Sequence, residues 1–382
     1  MGQHKNIASR NRISLGLTQT GFTMVELMVA LVIGLIGMLI ITETLIVNER
    51  FKRSSVSAGD AQTNGALSLS AIERDVRMAG AGIAHSQILG CNPLQFYWDQ
   101  APLGPIYSKP ANPTSTLPSF TIAPAVIEEG GGNPDSITIM YANEGQRLTP
   151  GRLRSNMANG TSDLKLDEVA GFATDNVVIV SQSATCTMMQ VTQVELGSAI
   201  SLHHSPTGTN YNPPVLGSLF PAYTTGALVF NMGKPVVRRY EITNGSLFLT
   251  NYFEMPAVGN IPVFNNTAQL IYNNIVDFQA QYGKDNGAGG GTAGDGIIDE
   301  YDSTSPTTSL GWQQVLAVRI GLLARSTNRE KGSGSPSVCT ATTVIPTWLG
   351  GNLKIPEGVP SCFKYRVFET VVPLRNMMWR ES

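Results

Sequence analysis

Residues 22–41 form a run of twenty with a single charged side chain, Glu26. As a helix rising 1.5 Å per residue the run is about 30 Å long, the thickness of a bilayer's hydrocarbon core. It is long enough to span a membrane once. A secretory signal peptide is the competing reading, but its apolar stretch covers about 7 to 15 residues and ends at an A-x-A-like site. The chain has neither that length nor that site. Charge does not orient the span, because Lys5, Arg10 and Arg12 precede it and Arg50, Lys52 and Arg53 follow it. Composition bounds the rest: with 42% hydrophobic and 14% charged residues the chain is too apolar to be disordered, and a mean hydropathy near zero excludes many spans. The 26 basic and 28 acidic residues nearly cancel, so no bulk electrostatic attraction to nucleic acid exists and no specific nucleic-acid partner is expected.

A carboxylate inside an apolar span is costly on insertion scales, so Glu26 requires a partner or a task. Gly21-Phe22-Thr23-Met24-Val25-Glu26-Leu27, followed by the apolar run, resembles the class III signal of type IV pilins and pseudopilins. The resemblance implies that residues 1–21 are a prepilin leader. A membrane prepilin peptidase would cut between Gly21 and Phe22 and methylate the new amine of Phe22. A glycine before the cut admits an extended backbone to a tight cleft. Glu26 would then form an assembly salt bridge with the Phe22 ammonium of its own or a neighbouring subunit, neutralising two charges in an apolar filament core. The other reading makes Glu26 a snorkelling acid at the membrane surface.

Residues 42–84 read as the amphipathic continuation of the helix, with Leu69, Ile72, Val76, Ala79 and Ile83 on one stripe. Glu73, Arg74, Asp75 and Arg77 are placed opposite it, as solvated charge. Gly80 and Gly82 are expected to end the helix, and Gly34, Gly37, Gly59 and Gly65 each weaken it by about 1 kcal/mol relative to Ala. Major pilins usually carry a helix-breaking proline where this chain has Glu43. Residues 85–382 form the head, in which β-branched runs bounded by Gly, Pro, Asn and Ser predict strands at 120–122, 136–141, 176–181, 188–195, 227–231, 236–243, 247–251, 314–323 and 364–372. Thr243-Asn244-Gly245-Ser246 is a hairpin turn signal, and 275–280 is open between strand and short helix. The expected fold class is α+β and type IV pilin-like: a long N-terminal transmembrane and amphipathic helix, 22–41 then 42–84, packed on an antiparallel sheet head with long loops.

Leu69-Ser70-Ala71-Ile72-Glu73-Arg74-Asp75-Val76-Arg77-Met78-Ala79-Gly80, Gln281-Tyr282-Gly283 with Gly294-Asp295-Gly296, the 315–326 strand and Val372-Pro373-Leu374-Arg375-Asn376 together resemble PilW-type minor pilins. That resemblance implies a minor pilin initiating pilus assembly near the filament tip, in support of twitching motility, adhesion and DNA uptake. It implies as partners the prepilin peptidase, other minor pilins, the major pilin and a tip adhesin. The location implied is the inner membrane with a periplasmic head, then the pilus or its tip. Two alternatives stay open: a type II secretion minor pseudopilin, which shares the first mature residues in kind, and a pilin-anchored adhesin or binding protein. Segments 91–118 and 200–222 carry no motif.

Cys91, Cys186, Cys339 and Cys362 lack C-x-x-C spacing, which argues against zinc or a thioredoxin-like centre and for disulfides in an oxidising compartment. Three connectivities exist; Cys339 with Cys362, a short loop, and Cys91 with Cys186 are favoured. No cofactor is expected beyond a candidate structural calcium ion on the Gly-rich 285–302 loop, where Asp285, Asn286, Asp295, Asp299 and Asp302 supply hard oxygens. Their spacing departs from the EF-hand, and a solvated acidic loop is the competing reading. Adjacent His203 and His204 make a poor chelate and are read as surface loop. No Ser/His/Asp, Cys/His, phosphate-loop or H-E-x-x-H pattern indicates an enzyme.

Overall fold

The computed structural model describes residues 21–100, 104–108, 120–143, 149–158, 162–197, 200–206, 209, 211–212, 221–254, 263–330, 339, 341–355 and 362–378. Residues 1–20 of the expected leader lie outside these. One helix, α1 (Met24–Met78), runs 55 residues without interruption. By internal contacts the chain divides into two compact units, 1–55 and 56–382.

In the first unit every large apolar side chain from Phe22 to Ile41 is more than half exposed. In the second, α1 buries Ser57, Ala61, Gly65, Ser68, Ile72, Asp75 and Val76, steps of three and four that place them on one face. The sequence stripe finds Ile72 and Val76 but misses the small residues before them. Small side chains let the sheet come close: a Cβ on Gly65 would lie 2.1 Å from the Phe368 ring. The helix stops where expected, with Gly80 at φ +82° donating its N–H to Met140 O at 3.0 Å and Gly82 at φ +73° against Ala142. Asn376 holds the end by donating to Met78 O and Ala79 O at 3.1 and 3.0 Å.

The first sheet comprises β1 (Ala125–Glu128), β2 (Ser136–Asn143), β3 (Val177–Gln182), β4 (Thr185–Gln190), β5 (Leu228–Thr243), β6 (Ser246–Asn251) and β7 (Gln269–Asn273), with a two-residue strand Gly151–Arg152. Its path runs β7-β6-β5-β2-β1, while β3 pairs the first half of β5 and β4 pairs β3, all antiparallel. The second sheet, β9-β8-β10-β11, is built from β8 (Ile275–Lys284), β9 (Glu300–Asp302), β10 (Val315–Arg325) and β11 (Tyr365–Pro373). Helix residues Ile72 and Val76 meet Ile137, Ile139 and Tyr240 of the first sheet and Phe278, Ile320 and Leu322 of the second in one core. This is the α+β, pilin-like arrangement that the resemblance implies.

Several strand expectations change. The predicted 227–231 and 236–243 runs are a single strand, β5, because a register shift at Gly233, φ +55°, accommodates Pro235 without a break in the sheet. The 188–195 run is interrupted after Gln190. Residues 120–122 form no strand; Ile122 and Phe120 exchange backbone hydrogen bonds with the irregular 90–94 segment instead. The ambiguous 275–280 run belongs to β8. Asn244 at φ +51° and Gly245 at φ +70° form the two-residue hairpin between β5 and β6. Within the motif-free segments lie the hairpin Phe96–Gln100 with Gly104–Ser108 and the short strand Ser201–His203.

Candidate functional site

The start of α1 is organised by its own sequence. Thr23 is the N-cap: its Oγ1 accepts the Glu26 N–H at 3.2 Å, while Glu26 Oε2 accepts the Thr23 N–H and hydroxyl, each at 3.0 Å. Two orphan donors of the first turn are thereby satisfied reciprocally, a capping box. The T-x-x-E pattern was legible at 23–26, but the competing task of Glu26 obscured it. Glu26 Oε1 has no partner among the described residues. Gly21 and Phe22 precede the helix with no regular structure, Phe22 is 88% exposed, and nothing lies within 4 Å of a Cβ built on Gly21. The bond expected to be cut is therefore accessible, next to a fixed helix start. Within one chain the structure brings Glu26 to Thr23, and not to Phe22.

Farther along the helix, Asp75 is not solvated as its neighbours suggest. It is 2% exposed and accepts from Arg238 Nη1 at 2.8 and 3.0 Å and from the Tyr240 hydroxyl at 2.6 Å. Burial, then the Asp75 charge, pushes the Tyr240 hydroxyl far above its ordinary pKa. Glu73 and Arg77 do pair with each other on the outer side of the helix. Asp75 lies one residue before Val76 and so on the flank of the buried face, which a stripe drawn only through apolar residues does not include.

Cys91 is bonded to Cys186 and Cys339 to Cys362. The five residues of the candidate calcium loop are not gathered into a cation cage. Asp285 accepts the backbone N–H groups of Gly294 and Gly296, Asp299 that of Gly287, and Asp295 that of Ile297 at 2.9 Å. Asp302 pairs with Lys284 and Asn286 donates to Glu300. Gly287, Gly294 and Gly296 all have positive φ, which turns N–H groups inward and satisfies the carboxylates from within the loop. Among the described residues no group of three His, Cys, Asp or Glu could hold a metal ion.

The histidine pair is also placed differently from the surface loop expected. His204 is 3% exposed, its Nε2 within 2.9 Å of Ser162 O, and burial lowers its pKa. His203 lies between Asp163 and Glu195 at 2.9 and 3.3 Å.

Two family models match the chain. One, described as Type IV Pilus-assembly protein W, covers residues 250–376; the other, the prokaryotic N-terminal methylation motif, covers residues 17–42. Among solved structures, a type IV-like pilin from Thermus thermophilus aligns at 14% identity and a TM-score of 0.20, over 54% of this chain and 86% of its own. No curated protein sequence matches. The methylation motif implies processing by a prepilin peptidase and fits membrane anchoring through the apolar helix.

Proposed function

We propose that this chain, a PilW-like minor pilin related to the type IV pilus, helps to initiate and prime pilus assembly as part of the tip complex. The observation carrying this reading is the apolar face of residues 22–41, exposed throughout, with one carboxylate whose Oε1 has no partner among the described residues. An exposed apolar surface of that length needs lipid before assembly and neighbouring helices after it. A free carboxylate oxygen beside it suits the methylated ammonium of an adjacent subunit's first residue. The Thr23 cap holds Glu26 in place for that contact while the second oxygen remains available. A mechanical role, burying this helix among other pilins, accounts for these residues without any catalytic group. Two disulfides in the head support a periplasmic, oxidising location. Twitching motility, adhesion and DNA uptake would follow from assembly.

Intact-mass spectrometry of protein made with and without the prepilin peptidase tests processing. The expected mature form lacks residues 1–21 and carries one added methyl group; a functional protein retaining its leader overturns the reading. Glu26→Ala is expected to leave membrane insertion intact and to reduce pilus number, counted by electron microscopy. Undiminished piliation in that variant would remove the intersubunit role of Glu26.

A further inference from the structure

β11 (Tyr365–Pro373) is an edge of the second sheet, paired antiparallel to β10 in unbroken register. The bonds just beyond its two ends fix which backbone groups point where. Ser326 N–H donates to Lys364 O and Leu374 N–H to Leu316 O, each at 2.8 Å, so 364 and 374 are hydrogen-bonded positions. By the alternation of an antiparallel ladder, so are 366, 368, 370 and 372. Tyr365, Val367, Glu369 and Val371 therefore turn their N–H and C=O groups away from β10, and among the described residues nothing bonds them. Elsewhere the sheets close their edges. Tyr282 Oη and Ser305 Oγ cap Ile127 of β1, and the Gln95 main chain bonds Cys186 O and Met188 N–H of β4. The β7 edge is bulged against β6 and accepts Asn64 at Asn273 O, while β9 and Gly151–Arg152 are three and two residues long. β11 has no such protection: it carries no bulge and no lysine, and its proline stands only at the last position.

The two faces of this edge differ. Phe368 lies against Gly65 of α1, so the even-numbered residues face the helix and the odd-numbered ones face outward. On the helix side Arg366 is exposed and has no partner among the described residues. On the outer side Val371 is 41% exposed, and Glu369 accepts the N–H of Leu349, which is 64% exposed. An added strand would satisfy the outward N–H and C=O groups, cover Val371, and meet Arg366 with an acid and Glu369 with a cation. A second copy of β11 does not supply this. Antiparallel self-pairing keeps the faces distinct, so Arg366 meets only Lys364, Arg366, Phe368, Thr370 or Val372 of its twin, none of them acidic. It also sets the two copies of α1 against each other in direction, because α1 follows β11 from Gly65 at Phe368 to Met78 at Asn376. We propose that the β11 edge accepts an extended strand of a different protein, antiparallel to it, with an acidic side chain opposite Arg366 and a basic one opposite Glu369. This surface is separate from the apolar helix that would carry assembly.

The test titrates the full chain in detergent with the fluorescein-labelled peptide VTKTVET, read by anisotropy. Laid antiparallel over 365–371, this peptide sets its acid opposite Arg366, its lysine opposite Glu369 and its valines opposite Val367 and Val371. Saturable binding is expected, with hydrogen exchange slowed at the amides of 365, 367, 369 and 371. The peptide VTETVKT has the same composition with the two charges exchanged, and it should bind at least about tenfold more weakly because both cross-strand pairs become like-charged. Val371→Pro removes one outward N–H at an edge position where the fold tolerates proline, and should weaken VTKTVET at least about tenfold, whereas Val371→Thr keeps that N–H and the affinity. No saturable binding at millimolar concentration, equal affinity for the two peptides, or exchange protection that spares these four amides overturns the proposal. So does undiminished binding by a Val371→Pro protein that melts like the parent. Light scattering that shows a dimer of the full chain, dissolved by Val371→Pro, would assign the edge to a second copy and overturn it as well.

Discussion

A carboxylate on the buried flank of a helix must be neutralised where it stands, and Asp75 is neutralised by Arg238 and Tyr240 on β5. Removing one partner from such a group is expensive because the other stays buried and unmatched. Asp75→Ala is expected to destabilise the head by about 3 kcal/mol, and Asp75→Leu with Arg238→Leu by much less, read from urea midpoints. Equal losses in the single and double variants would deny the pairing. Tyr282, on β8, gives a signal at high pH. Its hydroxyl accepts the Ile127 N–H at 2.6 Å and bonds Ser305 Oγ at 2.9 Å, and burial pushes its pKa up to about 12. The folded state thus holds this proton more tightly than the unfolded chain, whose tyrosine titrates near pH 10. Its contribution to stability is complete below that pH and is lost as pH rises through about 12, at up to roughly 1.4 kcal/mol per pH unit. Thermal melts across that window should show the fall, and Tyr282→Phe should make it shallower.

The long helix tests the reading of glycine at the scale of an element. By propensity alone Gly59 and Gly65 are equivalent weak points. They are not equivalent in contacts: nothing lies within 4 Å of a Cβ on Gly59, whereas one on Gly65 collides with Phe368 of β11. Gly59→Ala should stabilise the head by up to about 1 kcal/mol, and Gly65→Ala should destabilise it by about 1 to 3 kcal/mol through displacement of the ring. A differential melt of the two variants separates these outcomes; stabilisation by both would mean that Phe368 yields freely. Similar logic explains β5. Its two halves were readable as β-branched runs, but their continuity depends on a bulge at Gly233 that propensity does not encode.

Across the whole molecule, the Cys91–Cys186 bridge closes a loop of 95 residues and Cys339–Cys362 one of 23. In the chain-entropy account these constrain the unfolded state by about 4.7 and 3.4 kcal/mol respectively. Replacing the first pair with serines should therefore lower the urea midpoint more than replacing the second; the reverse order would mean that native strain or packing dominates. The apolar span, its single acid and the places of most strands were legible because each depends on residues near one another in the chain, where period and turn chemistry decide. The burial of Asp75 and His204, the close approach at Gly65 and the inward-turned carboxylates of the 285–302 loop were not legible. Each is made by partners brought together only when the sheets close over the helix, and no local pattern records which distant side chain, backbone group or empty space a residue will meet.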